Sequence, residues 1–191
     1  MEPLNKREEI IQRAFKIFYD GGFHATGVDT LLADSGISKR TLYKYFRSKE
    51  ELIAAIVEHY QNLLFQDVSK EMVKRSSDPK EQILYLFDQK REEFEAKNYN
   101  GCFAVNAKLE FEGKDKQIEA ACKTLYEKLE EFVAALCTQA KCKQPKKVAR
   151  QIMILFEGAV VLGQMHRDPS IPETAKKLAR ELLRETVEAS R

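Results

Sequence analysis

"SGISKRTLYKYF", Ser35 to Phe46, decides the reading of this chain. Lys39, Arg40 and Lys44 stand among two tyrosines with no acid, although the 191 residues as a whole hold 32 Lys+Arg against 30 Asp+Glu, a net charge of +2. The next stretch, "RSKEEL", brings acids back at Glu50 and Glu51. The positive charge is therefore local and asks for a local anionic partner. Gly36 permits a tight turn, Ser38 can cap a short helix behind it, and Leu42 and Phe46 recur at helical spacing. Those two apolar side chains would pin the helix to a core made by Phe15, Phe18, Leu31 and Leu32, leaving its other face to solvent.

Helices extend on both sides. Residues 6 to 20 place Ile10, Ala14, Ile17 and Phe18 on one face and stop at Gly21 and Gly22. Thr26, three residues before Asp29, is expected to cap a second short helix, "VDTLLADS", ending at Gly36. Ser48 and Glu51 read as a capping box for a long helix with Leu52, Ile56, Tyr60, Leu63 and Leu64 on its apolar face. Asp78, Pro79 and Glu81 open another, which "NYNG" breaks. A stretch from about Cys102 to Glu112, one from Asp115 to beyond Leu136, one from Pro145 to His166 and one starting at Pro172 complete about nine helices. No credible strand competes, so the expected class is all-α.

Hydrophobic residues at 43% and charged residues at 32% fit a globular chain able to bury a core. Glu157 interrupts the most apolar run, "ILFEGAVVLG", so no membrane span is expected, and "MEPLNKREEI" lacks the apolar core of a secretory signal. The expected location is cytoplasmic, with Cys102, Cys122, Cys137 and Cys142 as thiols. Cys137 and Cys142, five apart on an expected helix, should face apart, and no histidine nearby completes a zinc set. Phosphate loops, nucleophile elbows and H-E-x-x-H are lacking, so neither an enzyme nor a cofactor is expected.

Two short helices joined by a tight turn, the second rich in donors, have the form that enters a major groove. Arg40 can pair with a guanine edge, Thr41 can touch a thymine methyl or a phosphate, and Tyr43 can donate to a phosphate. Lys49 adds its charge to the amides at the start of the next helix. The span "FHATGVDTLLADSGISKRTLYKYFRSKEELI" closely resembles the DNA-binding segment of TetR-family transcriptional regulators, in the threonine before the second helix, the turn glycine, the S-K-x-T-L-Y-x-Y-F recognition helix and the S-K-E-x-L start of the fourth. The resemblance covers about residues 6 to 55. Arg40 departs from the small residue many members carry, so base preference does not transfer. It implies a helix-turn-helix DNA-binding domain at 1–48 and a helical effector-binding and dimerisation domain at 49–191. The DNA-contacting set is then Thr26, Ser38, Lys39, Arg40, Thr41, Tyr43, Lys44, Tyr45 and Lys49.

The same resemblance implies a homodimer on a double-stranded operator and repression relieved by a small molecule. The residues support the dimer separately. Val148, Ile152, Leu155, Ala159, Leu162 and Gly163 form a stripe with small members, and Ala175, Leu178, Ala179, Leu182 and Leu183 add another, so residues about 145–190 are the expected interface. Phe87, Phe94, Cys102, Phe103, Asn106, Tyr126, Met153 and Phe156 are the candidate effector contacts, with Glu110 and Gln164 as further polar groups. Cys102, expected in the first turn of its helix, sits where the dipole favours thiolate. The stretch "YNGCFAVNAKLEFE" around it resembles a TetR subset that includes electrophile-sensing repressors, though the same G-C also occurs in members that bind ordinary ligands. A helical small-molecule carrier or enzyme without selective DNA binding is the competing reading, and a constitutive DNA-binding protein with a filled core is a variant of the first.

Overall fold

The computed structural model describes residues 5–96 and 99–186. Helices alone make up the regular structure among them: α1 (Lys6–Gly21), α2 (Val28–Leu32), α3 (Lys39–Tyr45), α4 (Lys49–Leu63), a π-helical segment (Leu64–Val68), α5 (Ser69–Arg75), α6 (Pro79–Glu95), α7 (Phe103–Phe111), α8 (Lys116–Gln139), α9 (Pro145–His166) and α10 (Ser170–Thr186). Because α4, the π segment and α5 follow without a break, the described residues hold nine continuous helical runs, as the sequence predicts. Contacts gather them into two compact units, residues up to Leu63 with Cys102–Leu125, and Leu64–Gly101 with Tyr126 onward.

In the first unit, Asn5 caps α1 and Glu8 reaches back to the Asn5 amide, a capping box the periodicity did not reveal. Gly22, at φ 76°, closes the helix. The expected cap at Thr26 is not made: Gly27 holds the cap position of α2 without a side-chain bond, and Thr26 is buried. Its hydroxyl packs on Gly21, where a Cβ would come within 2.9 Å of it. Arg13 instead serves the other end of α2, donating from Nε to the Leu31 carbonyl at 3.2 Å and from its guanidinium to Ala33. At α4, Ser48 Oγ accepts from the Glu51 amide at 3.1 Å, but the Glu51 carboxylate takes the amide of Arg47 at 2.6 Å, one residue before the expected one. Six consecutive residues of α4, Leu52 to Val57, are buried, so this helix is surrounded rather than amphipathic.

Leu42, Phe46, Phe18 and Leu31 are buried as expected. Phe15 departs from that core: its ring lies 5.0 Å from Phe103 of α7 and 5.9 Å from Tyr60 of α4. Phe103 also meets Phe23 at 5.0 Å, and Phe111 meets Phe23 at 5.7 Å. Aromatic packing therefore makes α7 part of the first unit.

In the second unit, α6, α9 and α10 pack on one another and α5 packs on α6. The Lys176 ammonium holds both oxygens of Asp88 at 2.6 and 2.7 Å. Arg75 lies 4.5 Å over the Tyr85 ring, and Phe87 meets Phe156 edge-on at 5.7 Å. Gly163 accommodates Phe94, whose ring occupies the space any Cβ there would need. The last helix begins at Ser170, so Pro172 falls inside its first turn rather than at its start. α8 ends at Gln139 before reaching Cys142, and a turn then brings Cys137 and Cys142 into contact, against the expectation that they face apart. α9 is long and apolar enough by composition to cross a membrane, a property that core helices of globular proteins share, and 44% of its most apolar window is buried within the protein.

Lys90 is buried and bonded to Glu93 at 2.7 Å. Burial pushes the Glu157 carboxyl up to about 7, and the Lys90 charge only partly opposes it. The folded chain thus keeps this proton to higher pH than the unfolded chain, whose glutamates titrate near about 4.3. Relative to the ionised limit, the stabilisation is complete below the unfolded pKa and is lost as pH rises through about 7. Glu157→Gln should flatten this part of the stability profile and raise stability above neutral pH by on the order of 2 kcal/mol, measured by urea unfolding at a series of pH values.

Candidate nucleic-acid interface

The surface of α3 follows from its caps and its period. Ser38 Oγ accepts from the Thr41 amide at 3.1 Å and also meets the Thr41 hydroxyl at 2.9 Å, so the first turn starts where the sequence predicts. With Leu42 and Phe46 turned inward, Ser38, Lys39, Arg40, Tyr43 and Lys44 are exposed, and Thr41, Tyr45 and Lys49 are half-buried. Tyr43 shows 49% of its surface. Among the described residues, no hydrogen bond or ion pair occupies Arg40, leaving its guanidinium free to make bidentate bonds. Thr26 departs from the expected set, because its burial removes the hydroxyl from the outer face.

Three of the cations are already engaged, Lys44 through its ammonium 5.8 Å over the Tyr45 ring. Lys39 bonds Asp29 of α2 at 2.7 Å, and that carboxylate holds the ammonium's pKa above its ordinary value, first by the hydrogen bond and then by charge. Lys49, at the start of α4, extends its ammonium over the Phe18 ring at 5.8 Å. Arg7, which sequence reasoning missed, lies 5.2 Å over Phe46 and places another cation beside the C-cap of α3. No signal of period or motif marks Arg7; only the packing of α1 does.

The residues expected around an effector divide between the units. Phe87, Phe94, Tyr126, Met153 and Phe156 belong to the second, and Cys102, Phe103 and Asn106 to the first. Phe103 is core packing between α1, α4 and α7. Cys102 is half-buried at the N-cap of α7, one residue before the expected position, and makes no capping bond with its side chain. Burial, and to a lesser extent the nearby Cys102, push the Cys122 thiol up to about 11, and it donates to the Ala104 carbonyl at 3.5 Å. Glu110 does not stand among apolar pocket residues. Its carboxylate accepts from the His24 amide at 2.8 Å and sits 3.5 Å from the His24 imidazole, tying the end of α7 to the turn between α1 and α2. Among the described residues, no cluster of three or more His, Cys, Asp or Glu could hold a metal ion.

Comparison with known proteins agrees with this geometry. Residues 10–56 match the profile of bacterial regulatory proteins of the tetR family, and residues 79–178 match that of the LmrA/YxaF-like transcriptional regulator C-terminal domain. An uncharacterised HTH-type transcriptional regulator of Lactococcus lactis is 24% identical over 89% of both chains. The HTH-type transcriptional repressor NemR of Escherichia coli is 23% identical over 84% of this chain and 85% of its own length. The fold is shared with SCO4454, a TetR-family regulator of Streptomyces coelicolor, at a TM-score of 0.83 and 23% identity, over 95% of this chain and 96% of that one. It is shared equally with the reduced form of E. coli NemR, at a TM-score of 0.83 and 19% identity, over 92% and 95%. With an N-terminal helix-turn-helix and a helical C-terminal region both accounted for, the chain belongs to the TetR family of DNA-binding transcriptional regulators.

Proposed function

We propose that this regulator is a homodimeric repressor that leaves a near-palindromic operator when a small-molecule or electrophilic effector binds. The observation that carries the proposal is the outer face of α3: capped, acid-free, and presenting Arg40, Tyr43 and Lys44 to solvent while Leu42 and Phe46 fix its inner edge. In this reading residues 1–48 read DNA and residues 49–191 receive the signal and dimerise, although the packing unit that holds the reading helix also takes in α4, α7 and the first part of α8. Arg40 reads a base edge, while Ser38, Thr41, Tyr43, Lys44, Tyr45 and Lys49 serve the phosphates. The bond from Glu110 to the amide of His24 supports a route for release: a change at Cys102 or Asn106, on the same short helix, is transmitted to the turn that positions α2. That E. coli NemR is a transcriptional repressor, with a structure of its reduced form, fits a thiol-directed signal of this kind.

Only part of the stripe expected from the sequence, including Leu162 and Leu178, is open to a partner. Val148, Ile152, Ala159, Gly163, Ala175, Ala179 and Leu183 are buried within the protomer. The apolar residues left outside are Ile154, Val161, Leu162 and Met165 of α9, and Leu178 of α10, with Ile154 67% and Met165 72% exposed. Gly158 lies among them with open space around its Cβ position, which allows the close approach of a partner helix. Residues 187–190 of the expected interface lie outside the described residues.

Arg40→Ala should weaken binding to the duplex upstream of the regulator's own gene by roughly 1–3 kcal/mol and relax selectivity, in fluorescence anisotropy against a scrambled duplex. Lys49→Ala should weaken both duplexes alike and reduce the salt slope by about one. Equal losses on both duplexes for Arg40→Ala would remove direct readout by that residue, and equal weak binding by the unsubstituted protein would leave a distant operator or no DNA role. For the interface, Ile154→Glu combined with Met165→Glu should leave helical circular dichroism unchanged and convert the dimer to monomer in sedimentation analysis. A monomer before substitution would refute the two-fold assembly.

A further inference from the structure

The turn after α8 brings two thiols together. Lys141 adopts left-handed backbone at φ 58°, its amide donates to the Thr138 carbonyl at 3.0 Å, and the Cys142 amide donates to the Cys137 carbonyl at 3.0 Å. These nested bonds are a Schellman ending, in which the side chains at the two ends of the longer bond close on each other. Here both side chains are cysteines, and the Cys142 sulfur lies near enough to help raise the Cys137 thiol. No disulfide joins them. The next amide, of Lys143, donates to the Thr186 carbonyl at 2.9 Å, so the same turn holds the end of α10, and α9 starts at Pro145.

We propose that Cys137 and Cys142 are a modification site, closing to a reversible disulfide under attack by a hydroperoxide and so locking the junction of α8, α9 and α10. Disulfides require Cβ atoms about 3.5–4.5 Å apart, and a closed Schellman turn holds its two flanking side chains in contact without moving the helix axis. Cys142, at 7% exposure, lies at the rim, whereas Cys137 is fully enclosed. The Cys142 thiolate attacks one peroxide oxygen, the O–O bond breaks, and the alcohol leaves after taking a proton, giving a sulfenic acid. The Cys137 sulfur then attacks the sulfenic sulfur, the S–S bond forms, and the hydroxyl departs with the Cys137 proton as water. Two thiols are oxidised and one hydroperoxide is reduced. Burial and the neighbouring sulfur push the Cys137 thiol up to about 12, which disfavours it as the first target of the peroxide. Only four residues separate the two cysteines, so the cross-link constrains the unfolded chain little, and its effect is on the turn rather than on overall stability.

The test uses the full chain under native conditions, treated with cumene hydroperoxide or equilibrated with glutathione buffers, then alkylated in denaturant and digested with trypsin. Lys141 places a cleavage site between the two cysteines, so the disulfide appears as residues 129–141 joined to residues 142–143. The expected result is this linked pair, with the thiol titre falling from four towards two and restored by dithiothreitol. The link should persist in Cys102→Ala, and in Cys142→Ala the Cys137 thiol should remain alkylatable. Alkylation of both cysteines at every glutathione ratio, linkage of either to Cys102 or Cys122, or loss of the link in Cys102→Ala would overturn the proposal.

Discussion

A recognition helix of seven residues cannot hold itself helical in water, where isolated helices shorter than about 12–15 residues are marginal. Everything about the first unit answers that constraint. Ser38 satisfies the Thr41 amide, Leu42 and Phe46 disappear into the interior, and Arg13 closes the end of the still shorter α2 through its last carbonyls. Asp29 then fixes Lys39 across the two short helices. The outward side chains are thereby held on a frame that pays their ordering cost before any ligand arrives.

The frame extends to a helix distant in sequence. Phe103 and Phe111 reach Phe15 and Phe23, and Glu110 holds the His24 amide, so α7 buttresses the turn from which α2 departs. The second unit works by separating the two faces of α9. One face is filled by Phe156 and by the approach of Phe94 to Gly163, while Ile154, Val161, Leu162 and Met165 remain outside. The buried ammonium of Lys90 and the half-buried, reluctant carboxyl of Glu157 lie in the same unit.

The sequence made the helices legible because their signals are local. Ser38, Asp78 and Asp115 cap as read, accepting from the Thr41, Lys80 and Gln117 amides at 3.1, 2.9 and 2.9 Å. What failed depended on partners far along the chain. Thr26 looked like a cap and was drawn inside by Gly21, and Phe15 was assigned to α3 but packs with Phe103. The small residues of α9 show the limit clearly: Gly163 makes room for an internal ring and Gly158 for open space, and period alone gives both the same meaning. Cys137 and Cys142 were separated by continuing α8 two or three residues too far, where Lys141 turns left-handed instead. The outward side of α3 was legible because its inward side is so short and apolar. The residues around an effector were not, since apolar side chains at helical spacing serve a core and a cavity alike.

Selection of bound duplexes from a random-sequence library by the full-length protein tests the central claim most directly, because it requires both a reading helix and a two-fold assembly. The enriched pool should contain two inverted copies of one short half-site, with centres about one helical turn or a multiple apart. A pool with no enriched sequence after repeated rounds, or a single unpaired half-site, would contradict it.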